Sequence, residues 1–260
     1  MGLKFRERMA YLLVAVFVLA APTITCITPH PEPYRSHPRS GEWKTLNLNG
    51  DVSLPPPYCG RHWSMHTVGF TDATVWRVFF EGEVKVVLKT ASGERGHLAV
   101  GMWWTTGFRH GLKIPLISST PTRIVVDFDV MIESLRLEGV DQWLRVALAC
   151  AVQRGDGAVV YTEMDFWDSP NTLRHPRGNV SLGGEIVYQG GDVVEYKIDQ
   201  IPLGVWRHYR VDLTEYVDRA WGIRPGDRLE SVYIVIEVIE NPVEIVLHLD
   251  NFWVKALIPQ

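Results

Sequence analysis

The chain has 260 residues, 46% of them hydrophobic, with 10 Trp, 9 Tyr, 9 Phe and a formal net charge of −4. That length buries the core of one large sandwich or barrel domain, while the acidic balance and the lack of a basic stripe exclude a nucleic-acid partner. Three cysteines exclude a disulfide-built scaffold, and the Gly pairs at 183–184 and 190–191 lack the helix and Lys of a phosphate loop.

Residues 1–28 begin with Lys4, Arg6 and Arg8, followed by an apolar run over 9–21 that ends on Ala20 and Ala21, the layout of a secretory signal. Ile24 and Ile27 extend the run to nearly the length of a membrane span, so a cleaved signal peptide and an uncleaved anchor helix both fit. Thr25 before Cys26 stands where lipidation wants a smaller residue. Either way the remainder is expected outside the cytoplasm, secreted or tethered to the outer face of the cell membrane. Residues 29–41 are punctuated by proline and polar side chains and suit an extended tether.

From 42 to 260 the pattern predicts one all-β domain, an antiparallel β-sandwich of the jelly-roll kind, expected to be monomeric. Apolar or alternating runs at 75–80, 84–90, 98–105, 123–133, 142–153, 158–168, 193–197, 206–213, 231–240 and 244–257 are separated by Gly, Pro, Asn and Asp. The single helix expected is Leu213 to Trp221, with Thr214 as its cap and Gly222 as its stop.

The chemistry lies in how three of these strands divide into faces, because successive side chains of a strand point opposite ways. Around residue 163 one face carries Val160, Thr162, Met164 and Phe166, and the other Tyr161, Glu163, Asp165 and Trp167. In 231–240 Val232, Ile234, Ile236 and Val238 oppose Tyr233 and Glu237, and in 123–133 Ile124, Val126, Phe128, Val130 and Ile132 oppose Asp127 and Asp129. If the acidic faces share one sheet, the carboxylates converge. Glycoside hydrolysis needs such a pair, one as nucleophile and one as proton donor, about 5–5.5 Å apart in retaining enzymes. Crowding and partial burial would hold one of them protonated. A solvated acidic face or a calcium site is the plainer alternative.

The stretch Y-T-E-M-D-F-W at 161–167 resembles the nucleophile strand of glycoside hydrolase family 12 endoglucanases, an E-I-M-I-W strand in that family. The order of parts is similar too: an Asp strand (V-V-D-F-D-V, 125–130), the Glu strand, then a late strand with a second Glu (V-Y-I-V-I-E, 232–237). The resemblance implies Glu163 as nucleophile, Glu237 as acid/base and Asp127 or Asp129 as assisting acid. It departs from that family at Asp165, which replaces an apolar residue, and at 142–153, which reads as an inserted strand. The pair Glu163 and Asp165 is also similar to half of the E-x-D-x-x-E motif of laminarinase-type family 16 enzymes, with Asp168 where the second Glu would fall. The ending H-L-D-N-F-W-V, 248–254, resembles the last strand of jelly-roll carbohydrate-binding modules.

The adjacent Trp103 and Trp104 must point to opposite faces, so one is free to line a groove, and Trp143, Trp63, Trp206 and Trp221 are further sugar platforms or core residues. No catalytic metal or cofactor is expected, though Asp250 and Asn251 with Asp192 or Asp212 could ligate a structural calcium ion. Cys59 and Cys150 could pair after export, or Cys150 could stay a buried thiol. Asn179 heads a glycosylation sequon. Together these features lead to an extracellular retaining hydrolase of β-linked polysaccharide of the endo-β-glucanase kind, with a non-catalytic lectin-like surface domain as the alternative. Membrane contact is expected only through the N-terminal segment.

Overall fold

A computed structural model describes residues 41–47, 50–52, 63–80, 82–103, 114–115, 123–138, 143–169, 185–239 and 242–259. The signal or anchor segment, the tether up to residue 40, Cys59, Trp104 and the Asn179 sequon lie outside them. The described chain is two β-sheets packed face to face, with one short helix.

The first sheet orders β12 (Arg207–Asp212), β7 (Arg123–Leu137), β14 (Val243–Pro259), β4 (Glu83–Thr90) and β3 (Ala73–Phe80), and β1 (Gly41–Thr45) also pairs with β14. The second orders β10 (Glu185–Gly190), β11 (Val193–Lys197), β9 (Val159–Asp168), β8 (Trp143–Gln153), β13 (Arg228–Ile239), β5 (Arg95–Trp103) and β2 (Ser64–Val68), with β6 (Ile114–Pro115) beside β13. The pairing departs from the antiparallel expectation once, since β11 runs parallel to β9. The hairpin from β10 to β11 turns through Gly191 and Asp192, and Gly191 takes φ 61, a conformation glycine adopts without a Cβ penalty.

Period-two alternation builds the core. Ile124, Val126, Phe128, Val130 and Ile132 of β7 and Ile245, Leu247 and Leu249 of β14 meet Leu144, Val146, Leu148 and Cys150 of β8 and Val232, Ile234, Ile236 and Val238 of β13, all completely buried. Each such side chain is worth about 1.5–3 kcal/mol of transfer free energy. Phe128 and Phe166 touch across the gap between the sheets, with ring centroids 6.0 Å apart. Cys150 is a free thiol in this layer, and burial pushes its pKa up to about 12.

Register shifts interrupt the alternation at several places, two of which bear on the site and its surroundings. In β14 the register shifts between Asp250 and Trp253, Asn251 takes φ 50, and Phe252 re-enters the core. Asn47 brackets this bulge, donating to the Phe252 carbonyl at 2.6 Å and accepting from the Val254 amide at 2.6 Å. In β9 the register against β8 shifts so that Trp167 opposes Val146 and Asp165 opposes Ala147, which makes Phe166 the extra residue.

The helix α1 (Leu213–Trp221) stops at Gly222 as expected, but its N-cap is Asp212, whose carboxylate accepts from the Glu215 amide. Thr214 instead accepts a 2.7 Å hydrogen bond from the Ile124 amide and ties the helix to β7. Among the described residues no helix is long and apolar enough to cross a membrane.

Candidate active site

The outer face of the second sheet, away from the core, is organised in rows set by strand register. One row reads Gly101, Tyr233, Ala149, Glu163, Glu195 across β5, β13, β8, β9 and β11. The next reads Ala99, Val235, Ala147, Asp165, Lys197, and the third His97, Glu237, Arg145, Asp168. Down the middle runs β8, whose outward residues after Arg145 are Ala147, Ala149 and Ala151, so the floor is low where the flanking strands carry carboxylates. Gly101 keeps its end low too: a Cβ there would stand 2.6 Å from the Tyr233 Cα.

Arg145 reaches along this alanine floor into the acids. Its Nη2 lies 2.5 Å from Glu163 Oε2 and 2.5 Å from Glu237 Oε2, while Nη1 lies 3.1 Å from Glu195 and 3.3 Å from Asp165. Toward Glu237 the N–H is aligned as a hydrogen bond; toward Glu163 the contact is an ion pair without that alignment. Two 2.5 Å contacts on one nitrogen cap the separation of the two glutamate oxygens at twice that length, about 5 Å. Beside them Lys197 donates to Asp168 at 2.5 Å and to Gln200 at 2.7 Å.

Five carboxylates thus surround two cations, in a layer where Arg145, Glu163, Asp165, Asp168, Glu195 and Lys197 are all buried and Glu237 keeps 23% of its side chain exposed. Burial alone would weaken the charge of Arg145, but Glu163, Glu195, Asp165 and Glu237 outweigh it and raise its pKa well above the ordinary value. Asp165 moves well above the usual carboxylate range: burial, with Asp168, Glu195 and Glu163 adding to it, prevails over Arg145. The His97 pKa is lowered by burial and by Arg145 against the pull of Glu237 and Glu163. Tyr161 is pushed up to about 12 by burial and by Asp192 and Glu163.

The structure brings together Glu163, Asp165, Glu237, Tyr161 and Tyr233 of the residues singled out from sequence. It separates Asp127 and Asp129, which project from β7 on the outer face of the other sheet. There Asp127 pairs with Lys255 at 3.1 Å and Arg210 at 3.4 Å, and Asp129 with His208 and Asn251 at 2.8 Å each. The expectation that acids of all three strands converge is corrected: the core lies between β7 and the site. Trp167 is corrected as well, because the bulge at Phe166 turns it into the core and sends Asp168 outward to face Arg145. Trp63 is a core residue packed on Phe252, and Trp221 donates to Thr162 at 3.1 Å from the helix. Trp103 and Trp143 occupy strand ends.

Asp250 and Asn251 stand on the first sheet, Asp192 in the hairpin turn of the second, and Asp212 is taken by the helix cap and by Arg123. They do not gather into a calcium site, and no group of three or more His, Cys, Asp or Glu suited to a metal occurs among the described residues. Sequence reasoning missed Arg145, Glu195, Lys197 and His97. The signal for Arg145 was present as R-V-A-L-A-C-A, a cation on the same period-two face as three alanines.

No family model matches the chain, and no curated protein matches it either. Among solved structures, a native family 12 xyloglucanase from Bacillus licheniformis is similar, at 12% identity over 81% of this chain and 96% of that one, TM-score 0.48. So is endoglucanase cel12A from Rhodothermus marinus, at 14% identity over 83% of this chain and 96% of that one, TM-score 0.45. The family 11 xylanase from Neocallimastix patriciarum follows at 10% identity over 83% and 97%, TM-score 0.46. Such likenesses concern the sandwich alone; the reading of the site rests on its own geometry.

Proposed function

We propose that the chain is a retaining glycoside hydrolase acting on β-linked polysaccharide outside the cell, built on a jelly-roll sandwich. The observation that carries this reading is the shared contact of Glu163 and Glu237 with one nitrogen of Arg145, which caps their oxygens at about 5 Å apart. That upper bound falls short of the roughly 6.5–9.5 Å that inverting sites need to hold a water, and it accords with a nucleophile and proton donor that act without one between them.

In this mechanism Glu163, the position that matches the nucleophile in the family 12 resemblance, is the carboxylate that attacks the anomeric carbon. Glu237, the more exposed, gives a proton to the leaving oxygen and then takes one from the water that releases the glycosyl group. Tyr161 and Tyr233 border the alanine floor, and a polymer lying across strands would meet rings at the edges and methyl groups between them. No resident cofactor enters the chemistry.

A second reading, a glycan-binding face without catalysis, draws on Arg145 itself, whose guanidinium contacts both glutamates and two further acids beside them. The deciding experiment measures reducing ends released from soluble and insoluble β-glucans and xylans by the full chain and by its Glu163→Gln variant. Hydrolysis lost in the variant supports the enzyme; glycan binding with no hydrolysis by the wild type supports the second reading.

A further inference from the structure

We infer that Arg145 is a positioning residue for the Glu163 and Glu237 pair, acting through both carboxylates to set their spacing and orientation. The inference rests on the hydrolase reading for its kinetic consequences and on geometry for its origin. Strand β8 lies between the strands that carry the two glutamates, so neither can touch the other except across it. Its outward side chains at 147, 149 and 151 are methyl groups, which clears a path for the one long side chain at 145.

The guanidinium is held at both ends. Nη1 is anchored by Glu195 and Asp165 from one side, so the plane cannot turn, and Nη2 is thereby aimed between Glu163 and Glu237. A planar fork with fixed N–H directions transmits orientation, which a lysine ammonium on a flexible stem does not. Stability alone does not explain the arrangement. One carboxylate would neutralise a buried arginine, and gathering four of them around it leaves surplus buried negative charge, which opposes folding.

The charge offers a second readout. Arg145 contacts both carboxylates, and a variant without it takes that cation away from them. Facing Glu237 are His97 from β5 and Arg145 from β8. Facing Glu163 are Arg145 from β8 and Glu195 from β11, with Tyr161 and Asp165 beside it on β9. Among these groups Arg145 is the permanent cation.

The test uses the full chain with Arg145→Lys, and with Arg145→Met combined with Glu195→Gln, which keeps the net charge of the cluster and guards against unfolding from surplus negative charge. Circular dichroism establishes folding, kcat and KM are measured across pH, and carboxyl carbons of Glu163 and Glu237 are titrated by NMR with assignment from the Gln variants. Arg145→Lys is expected to lower kcat by about 10- to 100-fold with KM nearly unchanged, as misplacement of reacting groups does, and to keep the wild-type pH limbs. The double variant is expected to move both carboxyl titrations and both limbs of kcat/KM to higher pH, with partial recovery of kcat on adding guanidinium ion. Folded variants with wild-type kcat and unmoved titrations would overturn the inference. A wild type that hydrolyses nothing defeats the hydrolase reading instead, and the carboxyl titrations then decide the clamp alone: an upward move in the double variant supports it, and unmoved titrations overturn it.

Discussion

Glu237 lies directly opposite His97 across the β5–β13 pair, with Arg145 on its other flank. Burial, aided by Arg145, outweighs Glu237 and Glu163 and keeps the His97 pKa below 6.5. Its unfolded form therefore binds a proton at a higher pH than its folded form. Between the lowered folded value and about 6.5 the unfolded state holds more protons, so stability is lost as pH falls through that window. Replacing His97 by Gln removes this penalty, and the melting temperature of the variant relative to wild type should rise as pH is lowered from about 7.5 to 5. A difference independent of pH would contradict the assignment.

His248 on the opposite face should behave in the reverse sense. Burial works to lower its pKa, but its ring nitrogens meet Glu83 at 2.8 Å and Glu133 at 2.5 Å, and these bonds raise it above 6.5 despite Lys85 nearby. Its contribution is fully present below about 6.5 and is lost as pH rises through the raised folded value. Glu133, lowered chiefly by its bonds to Lys85 and His248, contributes above its unfolded value of 4.5 and loses that contribution in acid. The destabilisation caused by His248→Gln, read as a melting-temperature difference, should be largest between about pH 5 and 6.5 and shrink by pH 9.

The two glutamates are distinguished by their substrates. Removing a general acid costs about 10²- to 10⁴-fold on a leaving group that needs protonation, so Glu237→Gln should lose that much on a polysaccharide. It should keep near wild-type rates for the first turnover of an aryl glycoside whose phenol leaves as an anion. Glu163→Gln should fail on both, and equal losses in the two variants on both substrates would contradict the roles.

Asp127 looks catalytic in sequence, and the fold places it on the outer face of the other sheet beside Lys255 and Arg210. Asp127→Asn should cost about 1–3 kcal/mol of stability, since it loosens a buried carboxylate paired with Lys255 and Arg210. Activity per folded molecule, measured beside the melting curve, should not change.

The contrast between Asp127 and Glu237 shows where the sequence is legible. Both sit on strands whose alternation separates apolar from acidic residues, and that alternation placed β7, β13 and most of β14 correctly. It says which side chains leave the core but not which of two outer faces they reach, because sheet membership is decided by pairing partners far along the chain. On β9 the pattern held through Asp165 and failed at Trp167, since a bulge adds a residue without a compositional mark. Arg145 was overlooked because its strand reads as a continuous apolar run, and Glu195 and Lys197 because a five-residue strand buried throughout shows no clean alternation. The short β1, β2, β6 and β10 went unread because their apolar runs are too brief to stand out.

The most direct test of the central claim is covalent trapping. Incubation of the full chain with a 2-deoxy-2-fluoro β-cellobioside bearing an activated leaving group, followed by peptide mass spectrometry, should place one glycosyl unit on Glu163. A chain that hydrolyses β-glucan yet carries no label, or carries it on another carboxylate, would contradict the assignment of Glu163 as the nucleophile of a retaining site.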